Sequence, residues 1–366
     1  MSGAAALVDV EDVRAGVDAR LDAHLAALGV ELSAAGRDTG HLLDALRVTL
    51  SGGKRLRAAF CYWSWRAHGP QGDDVEPVLR VGAALELFQA AALVHDDVMD
   101  SSDTRRGRPS AHRAFEAMHE SAGWSAPAAK FGESAAILLG DLALIASERE
   151  LADAVAGLDG SVRAAVRATF DTMRTEVTAG QYLDVLAQGV PFGHDPVADE
   201  ARTREIIRAK SARYSVEHPM ALGAALAGAS EERLASCRAI GLPLGEAFQL
   251  RDDLLGVFGD PRSTGKPAGD DLREGKRTLL VVRALRDAAP ADAALLRAGL
   301  GRADLDEEEI TALREAIGRS GAVEQVDALI TALADPALAA LAAADLAEPG
   351  RSMLVSLGRA AVRRSA

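Results

Sequence analysis

Asp96, Asp97 and Asp100 close one apolar run, Gln89-Ala-Ala-Ala-Leu-Val-His95, and Asp252-Asp253 close another, Gly245-Glu-Ala-Phe-Gln-Leu-Arg251. Carboxylates gathered at the ends of core-forming helices need a cation to neutralise them, and a divalent metal is the usual one. On a helix Asp96 and Asp100 lie on one face about a turn apart and can share metal ions, whereas Asp97 is turned away by roughly 100°. They stand at a helix C-terminus, where the macrodipole adds to the pull on a cation. Nearby, Asp103-Thr-Arg105-Arg106-Gly-Arg108 supplies two adjacent guanidinium groups. A solvated helix end would account for the acidic run alone; carboxylates together with arginines suit an anionic ligand with several phosphate oxygens.

The second acidic pair is followed by Thr264-Gly265-Lys266-Pro-Ala-Gly269-Asp270-Asp271-Leu-Arg-Glu-Gly275-Lys276, a loop rich in lysines and acids that reads equally well as a solvated turn. Upstream, Lys210 and Tyr214 stand one helical turn apart, with Ser211 beside them, and Glu176-Val-Thr-Ala-Gly180-Gln181-Tyr-Leu-Asp184 puts polar groups into another helix.

Helices must position these groups. Alanine and leucine dominate, aromatics make up 4% of the chain, and no stretch alternates with period two, so the pattern predicts an all-α fold. Nothing in the 366 residues reads as a linker, and one domain is expected over 1–366: N-terminal helices over 1–50, a motif-bearing core over 51–280 and C-terminal helices over 281–366. Helices are predicted from about Val8 to Leu28, with Val10, Val13, Val17, Leu21 and Leu25 on one face, and from Asp38 to Leu50. Another opens at Lys54-Arg55-Leu56-Arg57 and ends at Gly69-Pro70; the next runs from Pro77 to Asp100. Ser101 to Ser110 reads as a loop. Further helices are expected over Ala128–Val155, Ser161–Gln188, Thr203–Ala229 with a kink at Pro219, and Glu231–Gly259, then alanine-rich segments to the end.

A net charge of −13 without a basic stripe argues against nucleic acid as a partner. Cys61 and Cys237 sit in apolar helical contexts and read as reduced and structural. The N-terminus lacks a signal-peptide pattern, and no apolar run is expected to reach the ~18 residues that span a bilayer, so the expectation is a cytoplasmic protein with no membrane anchor.

Taken together, Gly52-Gly53-Lys54-Arg55-Leu56-Arg57, Asp96-Asp97-Val98-Met99-Asp100, Arg105-Arg106-Gly107, Gly180-Gln181, Lys210-Ser211, Phe248-Gln249-x-x-Asp252-Asp253 and Gly265-Lys266 resemble the trans-isoprenyl diphosphate synthases, in order, over roughly Ser51 to Leu280. The resemblance implies antiparallel helices around a deep central cavity, the acidic motifs facing each other across its mouth, and a homodimer. It implies a prenyltransferase that condenses isopentenyl diphosphate with an allylic diphosphate to a linear all-trans prenyl diphosphate. Asp96, Asp100 and Asp252 would hold three Mg²⁺ ions, with Asp253 and Asp271 acting through metal-bound water and Asp97 completing the acidic set. Arg105, Lys210 and Lys266 would contact the allylic diphosphate, and Lys54, Arg57, Arg106 and Gln89 would hold isopentenyl diphosphate. Lys210, Ser211, Tyr214 and Gln249 would stabilise the allylic cation, and the released diphosphate would take the final proton. No His or Cys base is then required.

Two positions depart from the family pattern: Gly256 stands where a third aspartate is usual, and Ser211 where threonine is more common. If the allylic tail runs back along the helix that ends at Asp96, Ala92 and Ala91 stand about one turn below the diphosphate and leave room for a long tail. Phe88, roughly 12 Å of helix rise from Asp96, could form the floor or be an ordinary core residue. A geranylgeranyl product is expected, with farnesyl or longer chains as alternatives. The rival readings are a class I terpene cyclase, disfavoured by the Gly-Gly-Lys entry, and a non-catalytic regulatory subunit, which only Gly256 favours.

Overall fold

The computed structural model describes residues 10–70, 72–259 and 269–363. Lys266 and most of its loop lie outside the described residues. Among the described residues helices dominate and strand is confined to one two-stranded ribbon, so the all-α expectation holds.

The described chain forms two compact units, each drawn from separated segments. Unit one comprises residues up to Phe170 together with Pro219–Cys237 and Ala344–Leu357; unit two comprises Asp171–His218, Arg238–Ala343 and the segment from Gly358.

In unit one, α1 (Val13–Ala35) buries Val13, Val17, Leu21, Leu25 and Leu28, one helical face. Val10 was expected on that face but is 41% exposed, because a 3₁₀ turn with Glu11 at φ 55° breaks the register before α1 begins. Helices α2 (Gly40–Leu50) and α3 (Leu56–Ala67) follow. The latter is buried nearly all round, with Phe60 and Trp63 fully enclosed. Helix α4 (Glu76–Met99) has Pro77 in its first turn, where a missing N–H costs nothing.

The segment read as a loop after Asp100 is a ribbon, β1 (Thr104–Arg105) against β2 (Arg108–Pro109). Its turn residues, Arg106 and Gly107, both have positive φ, 53° and 73°, the conformation that matches the twist of a two-residue hairpin. Helix α5 (Ala111–Ser121) was not expected. Two of its three buried positions are histidines, His112 and His119 beside Phe115, so its inward face does not read as apolar. Helix α6 (Ala128–Val155) begins and ends where the sequence pattern puts it.

Helix α7 spans Gly160–Gly189. In unit two, α8 (Pro196–Ile206) is capped by the Asp195 carboxylate, which accepts from the Val197 and Ala198 N–H groups, both at 3.1 Å. An eleven-residue π-helix, Ile207–Glu217, follows and leads into α9 (His218–Leu226). The expected helix over Thr203–Ala229 kinked at Pro219 is thus corrected: it starts at Pro196, and its irregularity lies before the proline. The later helices are α10 (Glu231–Phe258), α11 (Asp270–Arg273), α12 (Leu279–Asp287), α13 (Pro290–Gly299), α14 (Glu307–Arg319), α15 (Ala322–Ala343) and α16 (Gly350–Val362). A capping box between Asp306 and Glu309 starts α14.

The expectation that no apolar stretch is long enough to span a bilayer also needs correction. Helices α4 and α15 both pass by length and composition, with mean hydropathies of 1.5 and 1.6 over eighteen residues. Isolated charges, Glu86 in α4 and Asp327 and Asp335 in α15, interrupt both, so neither is an unbroken apolar run. The α4 stretch is 67% buried within the protein, where its Val81, Ala83, Leu87, Ala91 and Val94 belong to the core. Cys61 and Cys237 are buried free thiols, as expected.

Candidate active site

In unit one the Gly52-Gly53 turn is held by the residue that follows its lysine. Arg55 is buried at φ 53° and donates from Nε to Asp18 (2.7 Å), from Nη1 to Glu86 (3.0 Å) and from Nη2 to the Leu50 carbonyl (2.8 Å). Burial works against its charge, but Glu86 and Asp18 outweigh burial and raise its pKa above the usual arginine value. A Cβ on Gly53 would stand 3.3 Å from the Arg55 guanidinium carbon and closer still to Nη1. The glycine is therefore the clearance this arginine needs. Pinning Arg55 leaves Lys54 exposed and Arg57 half-buried at the start of α3.

The ribbon docks against the same turn. Arg106 Nη1 donates to the Ser51 and Thr49 carbonyls at 3.0 and 3.3 Å, and Arg108 Nη1 to Ser51 Oγ at 3.1 Å. On the other side Arg105 Nε donates to Asp97 Oδ1 (2.9 Å), its Nη2 also reaches Asp97, and the same Nη2 lies 3.6 Å from Asp96. Arg106 is exposed, yet partial loss of water around its guanidinium lowers its pKa; repulsion from Arg55, Arg105 and Arg57 adds to this, and Glu86 opposes it. The ribbon thus gathers the Gly-Gly-Lys turn and the aspartate-rich end of α4 at one place where cations and carboxylates interleave.

Along the C-terminal half of α4, Gln89, Ala92, Asp96 and Asp100 are all half-buried and share one face by spacing. Asp97, turned off that face, is 3% exposed and packs on Arg105. The two small residues differ: Ala91 is wholly enclosed in the core, whereas Ala92 is half-buried. Phe88 is buried and meets Phe170 edge-on, with ring centroids 6.3 Å apart.

In unit two, Lys210 Nζ lies 2.6 Å from Asp184 Oδ2. Ser211 is half-buried and Tyr214 buried. All three belong to the π-helix, and π-helical turns are frequent at functional sites. Gln249 Nε2 donates to Asp253 Oδ1 at 2.8 Å. Burial pushes the Asp253 carboxyl up to about 7; the neighbouring charges of Asp271 and Asp252 push the same way, and the Gln249 hydrogen bond pulls back. Lys276 lies 3.6 Å from Asp271 and 2.8 Å from Glu274.

Among the described residues no three His, Cys, Asp or Glu side chains form a ready-made metal cage. The donors present fit magnesium nonetheless, because this ion keeps its waters and is held through one or two carboxylates plus substrate phosphates. All-oxygen donors in pairs are what each unit offers.

The Polyprenyl synthetase family model matches residues 40–317. This chain belongs to the polyprenyl synthetase family. Among its polyprenyl synthetase relatives, a geranylgeranyl diphosphate synthase of Mycobacterium tuberculosis is 36% identical over 295 residues, 78% of this chain and 76% of the relative. The octaprenyl diphosphate synthase of Escherichia coli is 29% identical over 321 residues, 87% and 88% of the two chains. The crystal structure of a geranylgeranyl pyrophosphate synthase from Corynebacterium glutamicum, complexed with isoprenyl diphosphate and magnesium, superposes with a TM-score of 0.89 at 39% identity, covering 96% of this chain and 98% of that one.

Four residues of this polyprenyl synthetase that contact candidate residues or their turn were not singled out from sequence: Arg55 and Glu86 in unit one, and Asp184 and Lys276 in unit two. Glu86 carried a signal, being the one charge between Arg80 and Asp96 in an otherwise apolar run. Asp184 lies four residues after Gly180 on the same helix face. Arg55 and Lys276 stand in basic runs in which no local pattern marks one cation from the next.

Proposed function

We propose that the chain is a metal-dependent prenyltransferase that condenses isopentenyl diphosphate with an allylic diphosphate into a linear all-trans prenyl diphosphate, geranylgeranyl diphosphate being the favoured product. The observation that carries this reading is the ribbon that joins Arg105 to Asp96 and Asp97 and Arg106 to the Gly-Gly-Lys turn. Guanidinium groups gathered with carboxylates at one place match a diphosphate that arrives with its metal.

In unit one, Asp96 and Asp100 would hold magnesium, Arg105 would contact the allylic diphosphate, and Lys54, Arg57, Gln89 and Arg106 would hold isopentenyl diphosphate. In unit two, Asp252, Asp253 and Asp271 would hold magnesium, and Lys210 and Lys266 would contact diphosphate oxygens. Magnesium, three ions per site in this reading, supplies Lewis-acid neutralisation of the charge on the departing diphosphate. Lys210, Ser211, Tyr214 and Gln249 would stand beside the allylic cation and stabilise charge as it develops. The released diphosphate accepts the proton lost from the new chain.

The proposal includes a homodimer, supported by Ile137, Leu138 and Ile145, which are 43, 59 and 59% exposed along one face of α6. It also includes a cytoplasmic location, with membranes met only through the product. The deciding experiment incubates the purified protein with isopentenyl diphosphate, each allylic diphosphate and Mg²⁺, and sizes the products. A twenty-carbon chain is expected; no chain from any pairing would support a regulatory subunit instead, and a cyclic hydrocarbon a cyclase. Asp96→Ala should lower turnover by at least about a hundredfold with an unchanged circular dichroism spectrum.

A further inference from the structure

Gly256 sits in the last turn of α10, one turn beyond Asp252 and Asp253, and its φ is not among the positive ones. A glycine with ordinary helical geometry gains nothing from conformational freedom, and it costs about 1 kcal/mol relative to alanine in a helix interior. The space around it explains its presence. A Cβ built on Gly256 would stand 2.7 Å from Asp271 Cγ and would overlap Oδ2, so the Asp271 carboxylate already fills the volume a side chain at 256 would need. Asp271 is held there from two sides. It is the second residue of α11, which starts at Asp270 after Gly269, whose φ of 76° turns the chain, and Lys276 lies 3.6 Å from its Oδ1. Gly256 lies one helical turn from Asp252 and Asp253, so the Asp271 carboxylate that fills its side-chain space stands over the same turn of α10.

We propose that Gly256 is a positioning residue for the magnesium site of unit two: by carrying no side chain it seats the Asp271 carboxylate beside Asp252 and Asp253, so that an acid from the following loop completes the set. The apparent gap in the Asp-Asp-x-x-Gly motif is then a socket, and the acidic set is whole. Loss of any carbon-free volume at 256 expels Asp271 and weakens metal binding without touching Asp252 or Asp253. The inference deepens the prenyltransferase reading and rests on its metal assignment.

The test is a double-mutant cycle read by Mn²⁺ binding in the presence of inorganic pyrophosphate, followed by electron paramagnetic resonance, with the metal-free melting temperature measured alongside. Gly256→Ala and Asp271→Ala should each weaken Mn²⁺ binding about tenfold or more, the size expected when a ligand or the group orienting it is lost. The double variant should bind no worse than either single one, since Gly256 acts only through Asp271. Wild-type affinity in Gly256→Ala, or losses that add in the double variant, would overturn the proposal, as would a wild-type protein that binds no Mn²⁺. Should Gly256→Ala fail to fold, recovery of folding in the double variant supports the overlap and continued failure refutes it. Product formation by the wild-type enzyme is scored separately, so an inactive protein that still shows the cycle refutes the prenyltransferase reading and leaves the socket standing.

Discussion

Arg55 shows how a site is built from a residue that need not touch substrate. Its three partners tie α1, α4 and the end of α2 to the turn that presents Lys54. Glu86 is 3% exposed, so Arg55→Ala would strand a buried carboxylate, and urea unfolding should show a loss of about 3–5 kcal/mol. Replacing Glu86 by Gln in the same chain should recover part of it; a loss below about 1 kcal/mol in the single variant would mean the pair is solvated and not structural. At the neighbouring ruler positions the structure separates two alanines that spacing alone left equivalent. Ala92→Phe should shorten the product, as chromatography of the chains will show. Ala91→Phe should instead destabilise the core by about 1–3 kcal/mol through overpacking. An unchanged product from Ala92→Phe would remove the ruler.

Among the elements the π-helix was the least legible. Its width is made possible by neighbours without side chains: a Cβ on Gly180 would stand 2.7 Å from Lys210 Cα, one on Gly245 3.0 Å from Ala212 Cα, and one on Gly241 2.7 Å from Glu217 Cα. These contacts join residues dozens of positions apart, and no local periodicity encodes them. Gly180→Val should push Lys210 away from Asp184 and cost about a hundredfold in turnover, the scale of a 1 Å misplacement, while far-UV circular dichroism stays helical. Near-normal turnover would mean that the helix can shift without moving Lys210. By contrast, α6 was readable to its ends because its apolar spacing is local, and α5 was missed because histidines occupy its buried face.

For the whole molecule, acid stability depends on a cluster where Glu176 receives a hydrogen bond from His218 Nε2 at 2.7 Å and pairs with Arg213. The His218 bond first, and then the charges of His218 and Arg213, outweigh burial and lower the Glu176 pKa. A carboxyl whose folded pKa is depressed contributes stability above its unfolded value of about 4.3, and that contribution fades as pH falls through the lower, folded value. Glu217, raised by burial, acts in the opposite sense, so the comparison must isolate Glu176. The gap in unfolding free energy between wild type and Glu176→Gln should be full at about pH 6 and shrink below about pH 4. A gap that stays constant with pH would show that the carboxylate charge contributes nothing.

The sequence by itself determined the all-α class, the bounds of several helices such as α4, α6 and α10, and the order of the chemical motifs, because amphipathic spacing, caps and short charged runs are properties of neighbouring residues. It also singled out the carboxylates at helix ends as candidate metal ligands, because acids gathered there call for a cation. Only the tertiary structure decided which arginine is pinned and which is presented, which alanine is core, and that Gly256 makes room for Asp271. Each of these is a matter of excluded volume and burial between segments distant along the chain, which folding alone brings into contact.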